Sequence, residues 1–169
     1  MRKIALIGTH GTGKTTLAHE LVAKAKKRGV NAEFLGEIVR GCPLPINEQQ
    51  TKDASEWIIY NQYIKELELK QKCNVLVCDR SVLDGYVYFY KKFGRDPTLE
   101  RFVKDKSTTY SALLRVPINQ RRLTEDGVRA TDEDFQRSID KGFSYLLREL
   151  DIPFVDFKDI DQALKLVIP

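Results

Sequence analysis

The chain has 169 residues, the length of one ordinary globular domain, and we expect residues 1–169 to form a single domain. Apolar residues make up 42% and charged residues 31%, which is typical of a soluble globular protein. The net charge of +4 suits an anionic small molecule and is too small to indicate a nucleic-acid partner. The apolar runs are too short to cross a membrane, so we expect a cytoplasmic protein.

The apolar pattern predicts strands and helices that alternate along the chain. The first strand is a buried run that ends in glycine, and the helix after it ends in basic residues before Gly29. Two prolines make the stretch 41–45 a loop, and Asp96-Pro97 is typical of the start of a short helix. The predicted strands are 3–8, 30–35, 74–78, 111–116 and 153–157. The predicted helices are 13–28, 48–72, 81–93, one that opens at Asp96, one that opens at Thr131, and 159–167.

Apolar residues at helical spacing indicate the buried faces of the two longest helices. In the helix over 48–72 they are Trp57, Tyr60, Ile64 and Leu67. The helix that opens at Thr131 has Asp134 three residues later, as at many helix starts. Its stripe consists of Phe135, Ile139, Phe143, Leu146 and Leu150.

Strands that alternate with helices indicate a three-layer α/β fold, in which a parallel sheet has helices on both faces. Ligands of such sheets bind at the carboxyl ends of the strands. Three stretches with functional side chains follow predicted strands: 8–15, 37–40 and 79–81. The sequence therefore places its candidate site at this edge of the sheet.

The loop after the first strand has the Walker A pattern Gly-x4-Gly-Lys-Thr, with a strand before it and a helix after it. Its glycines let successive backbone N–H groups point at phosphate oxygens, and the helix N-terminus adds its positive dipole end. We expect Lys14 to neutralise the β and γ oxygens of a nucleoside triphosphate, and the Thr15 hydroxyl to ligate Mg²⁺. The alternative is a glycine-rich turn that binds nothing, which the flanking elements disfavour. The candidate nucleotide-binding residues are Gly8, His10, Gly11, Thr12, Gly13, Lys14, Thr15 and Thr16, among which His10 is expected to shape the loop or face solvent.

The third strand is an apolar run that ends in a carboxylate, which is the form of a Walker B strand. We expect Asp79 to hold Mg²⁺ beside Thr15, directly or through water. The alternative is that Asp79 or Ser81 caps the helix that follows. Arg80 suits recognition of phosphate or substrate, with a surface salt bridge as its alternative.

A carboxylate also follows the second strand. Glu37 could accept a proton from a substrate hydroxyl or hydrogen-bond a sugar, and Arg40 lies one helical turn later. An exposed glutamate at a strand end is the alternative interpretation.

Arginines are concentrated around a segment with neither helical nor strand periodicity, 117–131. A mobile lid has this composition, because its closure brings positive charge onto a transferring phosphoryl group and excludes water. A solvated basic loop is the alternative. The arginines are Arg115, Arg121, Arg122 and Arg129, and we expect at least one of the last three to reach the triphosphate.

With these motifs the chain resembles the P-loop kinases of nucleosides and nucleotides. Within that group it is most similar to the AAA-type ATP-binding family that includes the nicotinamide riboside kinase domain of a bifunctional NAD-biosynthesis protein. The likeness covers most of the chain. Its motifs are the phosphate loop 8–16, the Glu-x-x-Arg of 37–40, the Asp-Arg-Ser of 79–81, and 125–129, which is similar to an Asp-Gly-x-Arg element.

The resemblance implies a P-loop NTPase fold with the strand order 2-3-1-4-5. It places Glu37 and Asp79 near the acceptor hydroxyl and Mg²⁺, Arg80 on substrate or phosphate, and Arg129 in the lid. The candidate catalytic residues are Lys14, Glu37, Asp79, Arg80 and Arg129, and the expected cofactors are ATP and Mg²⁺.

The leading hypothesis is a kinase that transfers the γ-phosphoryl group of ATP to a nucleoside-like or nucleotide-like acceptor, with Glu37 or Asp79 receiving the proton. One alternative is an ATP- or GTP-hydrolysing switch, which would lack an acceptor pocket beside Glu37. A second alternative is a polynucleotide 5′-kinase, which would need a basic tunnel with stacking aromatic residues. The identity of the acceptor, the choice between ATP and GTP, and the oligomeric state stay open.

Overall fold

The computed structural model describes residues 1–118 and 133–168. Strands and helices alternate over these residues as the apolar pattern predicts. The strands are β1 (Arg2–Ile7), β2 (Ala32–Leu35), β3 (Val75–Asp79), β4 (Ala112–Arg115) and β5 (Val155–Asp156). The helices are α1 (Lys14–Lys27), α2 (Lys52–Leu69), α3 (Val82–Phe93), α4 (Pro97–Ser107), α5 (Glu133–Glu149) and α6 (Ile160–Val167), with short 3-10 turns at Ile38–Gly41 and Asn47–Gln49.

The five strands form one parallel sheet in the order β2-β3-β1-β4-β5, which confirms the predicted fold and strand order. Leu6 of β1 pairs with Asp79 of β3, and Ile7 pairs with Arg115 of β4. Leu35 of β2 pairs with Cys78. This register brings the loops after β1, β2 and β3 to the same edge of the sheet.

Side chains that alternate along each strand divide the core between the two faces of the sheet. Ile4 and Leu6 of β1 pack with α1 and α6 on one face. Ala5 and Ile7 belong to the larger cluster on the other face, which α2, α3, α4 and α5 cover. Because the chain buries both faces of its strands, they read as continuous apolar runs in the sequence.

Two helix starts have the caps that the sequence suggests. Ser81 caps α3 in a capping box, since its hydroxyl accepts a hydrogen bond from the helix backbone and Asp84 accepts one from the Ser81 N–H. The cap interpretation therefore applies to Ser81 and leaves the Asp79 carboxylate for the edge of the sheet. Asp96 caps α4, with Pro97 in the first turn.

The predicted stripe of α2 is right in part, since Tyr60 is partly buried and packs against the core, but it is wrong at its last two positions. Ile64 and Leu67 are 46% and 47% exposed, whereas Ile59, Gln62 and Glu66 are buried. The reason is a polar network that α2 makes with β1 and β3, which places polar side chains at the core-facing positions. The helix also starts later than predicted, at Lys52 with Thr51 as its cap.

The last third of the chain agrees with the prediction in part. Ile139, Phe143 and Leu146 of α5 are buried, but Phe135 is 38% exposed and Gln136 is buried in its place. The predicted helix start at Thr131 lies outside the described residues. In the described part of the chain, no helix is both long and apolar enough to cross a membrane.

Candidate functional site

Glycines give the loop between β1 and α1 its shape. Gly8 has φ +132°, and a Cβ added there would lie 2.8 Å from the backbone oxygen of Val116, so another residue would collide with the chain after β4. Gly13 has φ +85° and is the N-cap of α1. Because Gly13 has no side chain that could cap the helix, the N–H groups of the first turn remain for an anion.

Lys14 is buried under the loop. Its Nζ donates hydrogen bonds to the Thr9 carbonyl oxygen at 2.5 Å and to Thr12 Oγ1 at 3.2 Å. Burial and the nearby Arg80 guanidinium lower the pKa of Lys14 to about 7, although three carboxylates oppose the shift. The protein alone therefore stabilises the charged form of Lys14 poorly. An anion bound at the loop would favour this charged form.

Contacts from α3 and α5 hold the first residues of the loop. Gln136 Nε2 donates to the His10 carbonyl oxygen at 2.7 Å, and Thr9 Oγ1 donates to the Gln136 carbonyl oxygen at 3.1 Å. The Tyr88 hydroxyl accepts a hydrogen bond from the His10 backbone N–H at 3.2 Å and lies 3.0 Å from His10 Nδ1. His10 is buried, so of the two expected roles its contacts fit the shaping of the loop and not exposure to solvent.

Two side-chain oxygens lie side by side where the start of α1 meets the end of β3. Thr15 Oγ1 donates to Asp79 Oδ2 at 2.5 Å, and Asp79 is 1% exposed. Mg²⁺ prefers oxygen ligands and takes one or two of them from a protein beside substrate phosphates, so this pair fits the ion. Residues 1–118 and 133–168 contain no cluster of three or more His, Cys, Asp or Glu that could hold a metal. Thr16 lies exposed in the same turn.

Arg80 has a backbone conformation that is rare for a residue with a side chain. Its φ is +84°, in the left-handed region. Its side chain crosses from β3 toward the end of β2, where Nε donates to Glu37 Oε1 at 2.6 Å. The guanidinium also lies 5.4 Å from the centre of the Tyr88 ring and 3.9 Å from Asp84 Oδ1. Arg80 is therefore part of a partly buried network, and the interpretation as a surface salt bridge is wrong.

Glu37 is held between two arginines. In addition to the Arg80 contact, its Oε2 accepts a hydrogen bond from Arg40 Nε at 3.1 Å. Burial alone would raise the pKa of Glu37, but the charges of Arg80 and Arg40 outweigh burial and hold it below the ordinary value. The Glu37 side chain is 6% exposed, so it is not the exposed strand-end carboxylate of the alternative interpretation.

Asp84 is a buried carboxylate that the motif analysis missed. Its Oδ1 accepts a hydrogen bond from the Gly8 N–H at 3.2 Å, and its Oδ2 accepts from Ser81. Burial raises the pKa of Asp84, although Arg80 and Lys14 oppose that shift. The spacing Ser81-x-x-Asp84 is a capping-box signal, but the contact with Gly8 depends on how α3 packs under the loop.

A cavity of about 580 Å³ lies beside these side chains. Residues 38–50 and α2 line it on one side, and α3 and the first turns of α5 on the other. This volume lies in the range of small-molecule pockets. Its polar lining includes His10, Glu37, Gln62, Arg80, Asp84 and Tyr88.

The predicted lid arginines are not part of the described geometry, because Arg121, Arg122 and Arg129 lie outside residues 1–118 and 133–168. Arg115 is described and has structural contacts. Its guanidinium bonds Asp140 at 3.1 Å and Ser144 at 2.7 Å, which joins β4 to α5.

Comparisons with known proteins give the family and the fold of the chain. A family model described as an AAA domain matches residues 3–162. The chain belongs to this family. No curated protein matches it in sequence.

Two solved structures have the same fold as this AAA-family chain. One is the deoxyadenosine kinase of M. mycoides with bound dATP, with a TM-score of 0.62 and 18% identity, over 98% of this chain and 96% of that one. The other is the thymidylate kinase of Ehrlichia chaffeensis, with a TM-score of 0.66 and 14% identity, over 97% and 96% of the two chains. The chain thus has the fold of P-loop nucleotide kinases.

Proposed function

We propose that the protein is a kinase that transfers the γ-phosphoryl group of ATP to a nucleoside-like or nucleotide-like acceptor. The observation that carries this proposal is the cavity beside Glu37 and Arg80, since a switch that only hydrolyses nucleotide needs no such pocket. His10 lines the same cavity and belongs to the phosphate loop, so an acceptor in the cavity would lie next to a triphosphate on the loop. The acceptors named for the two structural neighbours belong to the proposed class.

The phosphate loop would bind the triphosphate. Its N–H groups and Lys14 would balance the charge of the phosphates, and binding would keep Lys14 protonated. Thr15 and Asp79 would hold Mg²⁺, which when bound neutralises charge on the β and γ phosphates. Asp84 supports the Gly8 end of the loop from below.

Glu37 is our candidate for the group that accepts a hydrogen bond, and then the proton, from the hydroxyl of the acceptor molecule. It lines the cavity and is held in one orientation by Arg80 and Arg40, whereas Asp79 is bonded to Thr15. Its lowered pKa keeps it ionised at neutral pH, so it can accept a hydrogen bond from the hydroxyl. A strong base is unnecessary, because the transition state of phosphoryl transfer is loose and orientation contributes most. Arg80 lies where it could contact acceptor or phosphate.

The test is to incubate the protein with ATP and Mg²⁺ and, in separate reactions, with nucleosides, nucleoside monophosphates and an RNA oligomer. We expect ADP release that depends on one acceptor class, together with a phosphorylated product of that class. Release of ADP at the same rate with and without every acceptor would refute the kinase proposal and favour the switch. Phosphorylation of the RNA oligomer alone would favour the polynucleotide kinase.

A further inference from the structure

The backbone of Arg80 is held from both sides. Its N–H donates to the Leu6 carbonyl oxygen at 3.1 Å, and its carbonyl oxygen accepts a hydrogen bond from Gln62 Nε2 at 3.3 Å. A left-handed conformation at a residue other than glycine costs about 1–3 kcal/mol and persists only where the surroundings enforce it. The contact from Gln62 comes from a different element, α2, so it can supply part of that enforcement.

The amide of Gln62 has one possible orientation. Its NH₂ group contacts the Arg80 carbonyl oxygen and, at 2.9 Å, Glu66 Oε1. The carbonyl oxygen can only accept, and Glu66 Oε1 also accepts from the Tyr110 hydroxyl, so the nitrogen must face them and both amide protons are donated inside the protein. The amide oxygen then faces the cavity that Gln62 lines, where it can only accept a hydrogen bond from a bound molecule.

Glu66 is fixed in turn by β1 and by Tyr110, which lies just before β4. Lys3 Nζ donates to Glu66 Oε2 at 2.5 Å and lies 3.8 Å from the centre of the Tyr110 ring, and the Tyr110 hydroxyl donates to Glu66 Oε1. Lys3, Gln62 and Glu66 are all 5% exposed or less. Such groups would be costly to bury unpaired, but their mutual hydrogen bonds make the network rigid.

We propose that Gln62 is a positioning residue for Arg80, locked by Glu66, Lys3 and Tyr110. The network holds the Arg80 backbone in its left-handed conformation and so directs the guanidinium at Glu37 and the cavity. The consequence for turnover rests on the proposed kinase function, whereas the geometry does not. Loss of the Gln62 donors should therefore displace Arg80 and leave the phosphate loop in place.

The test compares crystal structures of the wild type and Gln62→Met, which keeps the length and volume of the side chain and removes both donors. We expect the Arg80 φ to leave the left-handed region and the bond from Arg80 Nε to Glu37 to be lost. The control is Asn61→Leu, the neighbouring amide, which bonds the Trp57 carbonyl oxygen within α2. Unchanged Arg80 geometry in Gln62→Met would overturn the proposal, whether or not the protein proves to be a kinase.

Kinetics separate positioning from a loss of stability. In Gln62→Met we expect kcat to decrease about 10²-fold, as for a displaced active-site group, with the KM for ATP unchanged. The Asn61→Leu control should retain both constants. Equal losses in kcat and in ATP affinity would show a general structural defect and overturn the proposal.

A measurement on the wild type covers the case in which Gln62→Met does not fold. The side-chain NH₂ protons of Gln62, assigned by NMR, should exchange with deuterium at least about ten times more slowly than those of Asn61. The reason is that both NH₂ protons of Gln62 are hydrogen-bonded and buried. Exchange of Gln62 as fast as that of Asn61 would overturn the proposed orientation.

Discussion

The Walker A loop and the cavity beside Glu37 are adjacent but are built in different ways. The loop is a run of consecutive residues, 8–15, whose conformation follows from its glycines and the helix after it. The cavity takes its side chains from the loop, the end of β2, α2, α3 and α5, which are spread over more than half of the chain. A site formed by consecutive residues can be recognised as a sequence motif. A site assembled from distant elements cannot, because its residues come together only when the helices pack.

The two regions also differ in charge. The loop has a buried lysine whose pKa is lowered to about 7, which suits an anionic ligand. The cavity has a glutamate whose pKa is lowered by two arginines, which suits a hydroxyl donor. Four measurements test this division of roles, and the expected effect decreases from the first to the fourth.

The largest effect is expected from Lys14→Ala. Removing the cation that the loop supplies should lower ATP-dependent turnover about 10³-fold, since electrostatic stabilisation of this kind is worth about 10²–10³ or more. The measurement is ADP release at saturating acceptor, with circular dichroism as the check that the fold survives. Turnover near that of the wild type in a folded variant would show that the loop is not the triphosphate site.

Glu37→Gln tests the cavity alone. It keeps the shape of the side chain but removes the charge that would orient the hydroxyl, so we expect kcat to decrease about 10²-fold. ATP affinity, measured by titration calorimetry, should change by less than about threefold because Glu37 is not part of the loop. Equal losses of turnover and ATP affinity would contradict the separation of the two regions.

The pH dependence of stability tests the lowered pKa of Lys14. The unfolded chain keeps this proton up to about 10.5, whereas the native protein releases it near 7, so the unfolded state binds more protons between these values. The free energy of unfolding should therefore increase by about 2 kcal/mol from about pH 7 to about pH 8.5, relative to Lys14→Met. Below about pH 6, where both states keep the proton, the difference should not depend on pH.

Denaturant unfolding of both proteins at each pH measures this difference. The range stops before about pH 9 because the buried Cys78 thiol, whose pKa is raised by burial, would lower stability there. A difference between the two proteins that stays constant over the whole range would contradict the assigned pKa. Added ADP and Mg²⁺ should reduce the slope, because bound phosphate would keep Lys14 charged.

The smallest effect is expected from Tyr88→Phe, at the boundary between the two regions. The change removes the hydroxyl that accepts a hydrogen bond from the His10 N–H and keeps the ring that lines the cavity. One hydrogen bond of this kind is worth about 1 kcal/mol, so ATP affinity should decrease about fivefold. Tyr90→Phe, whose ring stacks on Tyr145, is the matched control and should bind ATP like the wild type.

A decrease in acceptor affinity without any change in ATP affinity would assign Tyr88 to the cavity alone. A loss in both would make this residue the link between the two regions.

The fold was largely predictable because strands buried on both faces give apolar runs that the sequence displays directly. The strand order and the functional edge followed from the motifs and the family they resemble. The prediction of the buried face of α2 was wrong in part. Ile64 and Leu67 have the spacing of core residues on α2, but the partners of Gln62 and Glu66 decide which face is buried.

By itself, the sequence determined the Walker A loop, the Thr15–Asp79 pair and the sheet edge, since each depends on neighbouring residues or on the direction of parallel strands. The tertiary structure decided the partners of Arg80, the role of Asp84 under Gly8 and the cavity beside Glu37. The physical reason is that these contacts join side chains from different elements, and their geometry follows from how α2, α3 and α5 pack on one face of the sheet.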